Sequence, residues 1–145
     1  MTDLKSAALE LAKEGTHVFP LGRDKKPRTS HGFHDATDDP GTISNWNWNG
    51  GGAIGAAIPP GHFVVDIDPR NGGDATVKAL LRAGCTFPPT KVVKTKGGGS
   101  HRYYKVPEFL AGRRLRGTLG PGVDIKAAGK GYVVVPPSPG YSLRP

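Results

Sequence analysis

Cysteine is nearly absent from this chain of 145 residues: Cys85 stands alone, which excludes an internal disulfide framework and any multi-cysteine zinc site and fits a reducing compartment. Long hydrophobic runs are missing too. No stretch approaches the roughly 20 apolar residues that a membrane helix needs, and the N-terminus has a helical pattern instead of a charged head followed by a greasy signal core. The chain therefore reads as soluble and unsecreted. Acid is the third scarcity, and it is confined to one half: residues 75–145 hold only Glu108 and Asp124 against thirteen Lys or Arg, whereas residues 1–74 hold ten acids against seven. The net charge of +8 thus belongs to the second half, a polycation suited to a nucleic-acid backbone or a nucleoside triphosphate, or else a solvated basic surface.

What is present is punctuated by glycine and proline. The length matches one domain, able to bury about two thirds of the surface its unfolded form exposes. Leu4, Ala7, Ala8, Leu11 and Ala12 recur at helical spacing, with Thr2 or Asp3 as cap and Gly15 as terminator. A short strand is expected at His17 to Leu21. Asp39-Pro40 starts a second, short helix carrying Ile43 and Trp46. Ala53 to Ile58 and His62 to Asp68 read as strands joined by Pro59-Pro60-Gly61, a pattern that allows a hairpin. Asp74 is a candidate cap for a helix with Val77, Leu80 and Leu81 on one face. Strands then dominate: Lys91 to Thr95, His101 to Val106, Val123 to Lys126 and Tyr132 to Val135. The fold class is α/β or α+β, with late strands antiparallel.

Asp66 and Asp68 pose the chemical question. Residues two apart on a strand share a face, so Val64, Asp66 and Asp68 lie together opposite Phe63, Val65 and Ile67. Like charges side by side need water, a basic neighbour or a cation; paired carboxylates are good ligands for magnesium or manganese, and a solvated turn neutralised by Arg70 is the alternative. An EF-hand loop is excluded, because its third ligand would be Arg70 and its glycine would be Asn71. Asp124 interrupts another apolar strand, and there a shared metal or a salt bridge would offset its cost.

Lys94-Thr95-Lys96-Gly97-Gly98-Gly99-Ser100-His101 lets a phosphate or base come close to the backbone, although it is no Walker loop. His101, flanked by Lys96 and Arg102, favours a phosphate contact over a purely structural role. Arg113-Arg114-x-Arg116 suits a nucleic-acid backbone or plain solvation. Lys126 and Lys130 either neutralise a triphosphate or pair with the aspartates. Tyr103 or Tyr104 offers a ring for a sugar or base, or fills the core. His31-x-x-His34 lacks the further ligands of a zinc site.

Asp66-Ile67-Asp68, Gly99-Ser100-His101, Val123-Asp124 and the run Gly131-Tyr132-Val133-Val134-Val135-Pro136-Pro137-Ser138, in that order, resemble the N-terminal primase-polymerase domain of the archaeo-eukaryotic primase superfamily, the type fused to helicases in plasmid and phage replication proteins. That family's motifs are acid-x-acid, small-x-His and an apolar residue followed by an acid. Val18-Phe19-Pro20-Leu21 with Lys25-Lys26-Pro27, and Gly32-Phe33-His34-Asp35-Ala36-Thr37, are similar to its N-terminal part, so the likeness spans nearly the whole chain.

The resemblance implies an N-terminal α/β unit packed on a mostly antiparallel sheet related to the RNA-recognition motif, with the active site between them. It implies Asp66, Asp68 and Asp124 as holders of Mg2+ or Mn2+, and His101, with Gly99, Ser100 and Lys126 beside it, as the contact to the phosphates of a nucleoside triphosphate. A single-stranded DNA template, a primer and a fused or associated helicase are the implied partners, in the cytoplasm of a bacterial or archaeal host. No zinc stem is visible, and no zinc is expected. Residues 1–145 would be a single catalytic domain, with Pro136-Pro137-Ser138-Pro139-Gly140 as its exit toward the rest of a longer replication protein. A metal-dependent nuclease and a non-catalytic nucleic-acid-binding module are the rival functions. The catalytic reading requires that Asp124 meet Asp66 and Asp68 in space.

Overall fold

The computed structural model describes residues 3–145. Three α-helices, α1 (Leu4–Lys13), α2 (Pro40–Asn45) and α3 (Gly73–Arg82), accompany nine strands: β1 (Val18–Leu21), β2 (Ala53–Ala57), β3 (His62–Ile67), β4 (Val92–Lys94), β5 (Ser100–Lys105), β6 (Thr118–Gly120), β7 (Val123–Ala127), β8 (Tyr132–Val134) and β9 (Ser142–Leu143). The strands form two antiparallel sheets, a small one ordered β1-β2-β8 and a large one ordered β6-β7-β3-β5-β4-β9. The mixed α+β class expected from the sequence is the class observed.

Local chemistry starts the helices. The Asp3 carboxylate accepts hydrogen bonds from the Ser6 amide and hydroxyl and so caps α1; Thr2, the other candidate, lies outside the described residues. Asp39 caps α2 in the same way through the Thr42 amide and hydroxyl, with Pro40 at the first helical position. Asp74 does not cap α3. Gly72 takes the capping position in a left-handed conformation, and Asp74 falls in the first turn, where its charge still complements the helix dipole.

Ala7, Ala8 and Ala12 of α1 and Ile43 of α2 pack on Val18, Ile54, Ala56 and Val133 of the small sheet, and Val64 of the large sheet enters the same cluster. The two sheets therefore share a core. On the other face of β3, Val65 and Ile67 pack with Val123, Phe63, Phe87, Tyr104 and Val77 of α3. With about 25 cal/mol per Å2 of apolar surface removed from water, this double burial is what holds β3 at the centre of the molecule.

β2 and β3 are adjacent in sequence yet do not form a hairpin. β2 is central in the small sheet and β3 in the large one, and Pro59-Pro60, which have no amide hydrogen to donate to a ladder, carry the chain between sheets. The proline-rich run after β8 is tied to the small sheet before the chain goes on. Ser138, buried, accepts a hydrogen bond from the Ile54 amide at 2.8 Å through Oγ, and the chain turns back so that β9 pairs with β4.

Candidate active site

Three adjacent strands bring the acids together. Asp66 on β3 is directly opposite His101 on β5 and, on its other side, directly opposite Asp124 on β7. Opposed residues in a ladder project to the same face, so His101, Asp66 and Asp124 form a row across the sheet. Val64, Tyr103 and Lys126 form the next row on that face. The acid-x-acid alternation on β3 sets the face. Strand register does the rest.

Asp66 is partly buried, and its carboxyl pKa is raised above the ordinary value, first by that burial and then by the nearby charges of Asp124 and Asp68, against the opposing pull of Lys126. His101 is 6% exposed, with Nε2 3.5 Å from Asp66 Oδ1. Burial first, then Lys126 and Lys25, push the imidazole pKa down to about 4, so the contact at neutral pH joins a carboxylate to a neutral ring rather than two ions. His101 Nδ1 is buried with no hydrogen-bond partner among the described residues. A buried ring nitrogen left unpaired is costly, and it is the kind of atom a ligand oxygen satisfies.

Asp124 is exposed, so its cost is not the desolvation expected from its strand; the strain comes from Asp66 facing it. Among the described residues no Lys or Arg comes within salt-bridge distance of either carboxylate. Asp68 stands apart. It lies just past the end of β3, where Oδ1 accepts from the Arg70 amide at 3.0 Å and Oδ2 from the Asn71 side-chain amide at 2.5 Å, capping a short 3-10 turn. Arg70 thus meets Asp68 through its backbone, while its guanidinium lies over Gly97.

The triple glycine is a tight turn. The Gly99 amide donates to Thr95 Oγ1 at 3.1 Å and the Gly98 amide to the Thr95 carbonyl, so these donors are spent inside the turn. Gly99 is needed for closeness: a Cβ there would overlap the Ile67 carbonyl oxygen at the end of β3. Ser100 is opposite Ile67 and so lies on the face away from the row. Of the two tyrosines, Tyr104 stacks on Phe63 in the α3-side core and donates its hydroxyl to the Pro88 carbonyl, whereas Tyr103 lies on the site face beneath Lys91.

Lys25 and Tyr141 complete the surroundings. Lys25 sits at φ 62 in the turn after β1, its carbonyl accepting from the Tyr132 hydroxyl. Its Nζ lies 5.1 Å from the centre of the Tyr141 ring, which in turn lies 6.2 Å from His101 at 27° between planes. In the sequence Lys25 belongs to the Lys25-Lys26-Pro27 stretch of the family resemblance with no role attached to it, whereas Tyr141 carries no signal, being brought back by the turn at Ser138.

A family model described as the N-terminal domain of bifunctional DNA primase/polymerase, Prim-Pol, matches residues 8–144. The chain belongs to the Prim-Pol family. No match was found among curated proteins. Membership makes the domain a primase/polymerase, and so a nucleotidyltransferase whose substrates are DNA and nucleotides and whose kind generally uses divalent metal. No helix among the described residues is long and apolar enough to cross a membrane.

Two facing carboxylates with no salt-bridge partner among the described residues are hard oxygen donors of the type that magnesium and manganese take. Among the described residues no three His, Cys, Asp or Glu side chains stand close enough to hold a metal together. The fit is therefore carried by Asp66 and Asp124, with Asp68 turned into its own cap.

Proposed function

We propose that this domain extends a primer on a single-stranded DNA template with nucleoside triphosphates, using magnesium or manganese. The observation that carries the reading is the row His101–Asp66–Asp124, three side chains from three strands in register on the face shared by both sheets.

Asp66 and Asp124, joined by Asp68 on release from its cap, would hold the divalent ions. Such ions lower the pKa of the primer 3′-hydroxyl and stabilise the charge on the pyrophosphate leaving group. Asp66 and Asp124 fix where the reacting phosphate sits. His101, buried, offers Nδ1 to a phosphate oxygen as a hydrogen-bond donor; for Nε2 to donate to the Asp66 carboxylate at the same time both ring nitrogens must carry hydrogen, so the negative charge of the phosphate brings a proton onto the ring. Lys25 and Lys126 supply the positive charge around it. Gly99 allows the turn beside the row to pack against β3, and Ser100 starts the strand that presents His101. In the transfer, the 3′-oxygen bonds to the α-phosphorus as the bond to the pyrophosphate oxygen breaks, and the hydroxyl proton leaves to solvent.

Primer extension with Mg2+ or Mn2+ tests the reading. Incorporation by the unaltered chain and its loss in Asp66→Asn and in Asp124→Asn is expected. Degradation of the DNA without incorporation would point instead to a nuclease, and full activity in the doubly substituted chain would remove the assignment.

A further inference from the structure

The row has two chemically different ends. At the His101 end stand Lys25 and Tyr141. At the Asp124 end a cavity of about 730 Å3 opens, floored by Asp124, Lys126 and Lys130 and walled on its far side by residues 110–117. That wall carries Arg113, Arg114 and Arg116, all exposed, and Phe109, 79% exposed, directly precedes it. Among the described residues no carboxylate pairs with any of the three arginines. The segment is nonetheless built. Turn bonds run from Leu110 to Pro107, Ala111 to Glu108 and Arg113 to Leu110, and the Ile125 amide of β7 donates to the Gly117 carbonyl at 3.0 Å.

In-line displacement puts the entering and leaving oxygens on opposite sides of phosphorus. With the leaving phosphates at the His101 end, the attacking hydroxyl must arrive from the Asp124 end, which is where the groove leads. We propose that the groove between β7 and residues 110–117 is the channel for the primer strand, the one whose 3′ end is extended, as distinct from the template. Arg113, Arg114, Arg116 and Lys130 grip its phosphates, and Phe109 offers a ring on which a base stacks. This inference rests on the polymerase reading for its polarity, while the groove's affinity for a DNA strand stands on its own charge.

Two measurements test it. In Arg113→Ser/Arg114→Ser/Arg116→Ser, the slope of log affinity for primer-template DNA against log salt should flatten by about 2.7, at roughly 0.9 per lost phosphate contact on the paired primer strand. The KM for the nucleotide should not change. An unchanged slope, or a raised nucleotide KM with unchanged DNA affinity, would overturn the proposal. In Cys85→Ser/Arg114→Cys carrying an aryl azide, light should crosslink a labelled primer strand; crosslinking to the template alone would overturn the strand assignment. Neither the salt slope nor the crosslink needs turnover, so a chain that crosslinks the primer yet incorporates nothing would sink the catalytic reading and leave the groove assigned.

Discussion

His101 Nε2 stands 3.5 Å from Asp66 Oδ1, yet the pair is not an ion pair at neutral pH, because burial and two lysines hold the imidazole neutral with a pKa of about 4. The protein thus keeps a buried neutral base against a partly buried acid, at the point where a second carboxylate, Asp124, faces the same acid. An arrangement this poorly compensated is selected for something other than stability.

The first consequence is a pH dependence of stability. A histidine whose folded pKa falls from 6.5 to about 4 is protonated more readily in the unfolded chain, so stability is full above pH 6.5 and is lost as pH falls toward 4. The full effect is on the order of 3 kcal/mol. Asp66, with its pKa raised from 3.8, acts in the opposite sense at the lower end of that window. Urea unfolding in EDTA across the window should show the loss in the unaltered chain and a flatter profile in His101→Gln; equal profiles would show that the imidazole is not held neutral.

The second concerns the facing carboxylates. Directly opposed like charges destabilise a ladder. Asp124→Asn should therefore raise the melting temperature in EDTA while lowering nucleotide incorporation by about 100-fold or more, the loss of several kcal/mol of transition-state stabilisation. A variant that is both less stable and still active would mean that Asp124 has a structural partner instead.

Metal binding gives a third. Mn2+ at about 100 times its Kd stabilises a folded state that binds one ion by about 2.7 kcal/mol. Thermal melts should shift upward with Mn2+ for the unaltered chain and not for Asp66→Asn/Asp124→Asn. Equal shifts in both would place the ion elsewhere.

A fourth separates two neighbouring glycines. Gly98 has φ +81 and open space around its absent side chain, whereas a Cβ on Gly99 would overlap the Ile67 carbonyl oxygen. Gly98→Ala should cost about 1–2 kcal/mol from its left-handed backbone, and Gly99→Ala about 3 kcal/mol or more from overpacking. Denaturant midpoints in the reverse order would refute the close approach of this turn to β3.

The last tests the return of the chain after β8. Ser138→Ala leaves the buried Ile54 amide without its acceptor and should cost about 1–3 kcal/mol. Ser142→Ala, exposed on β9, should stay within about 0.5 kcal/mol. Similar midpoints for the two would show that the Ser138 bond does not anchor the turn.

Local signals are legible where their cause is local. The alanine-leucine spacing of α1, the Asp39-Pro40 start of α2 and the alternation in His62–Ile67 are each written within a few residues, and each is present in the structure. The hairpin proposed for β2 and β3 failed because pairing is decided by what each strand meets, and both found better-covered neighbours far along the chain. Alternation and the acid-x-acid motif both group Asp68 with Asp66; in the structure the strand ends one residue earlier and the Asp68 carboxylate caps the following turn.

By itself the sequence determined the inventory and its order: two acids spaced for one face of a strand, a histidine after a glycine turn, a lone acid in a basic half, and helices and strands from periodicities a few residues long. Only the tertiary structure decided that Asp66 stands between His101 and Asp124, that the imidazole is neutral, and that Lys25 and Tyr141 close over it. The reason is physical. Register and burial arise from contacts between segments tens of residues apart, whereas hydrophobic periodicity carries information only within one segment.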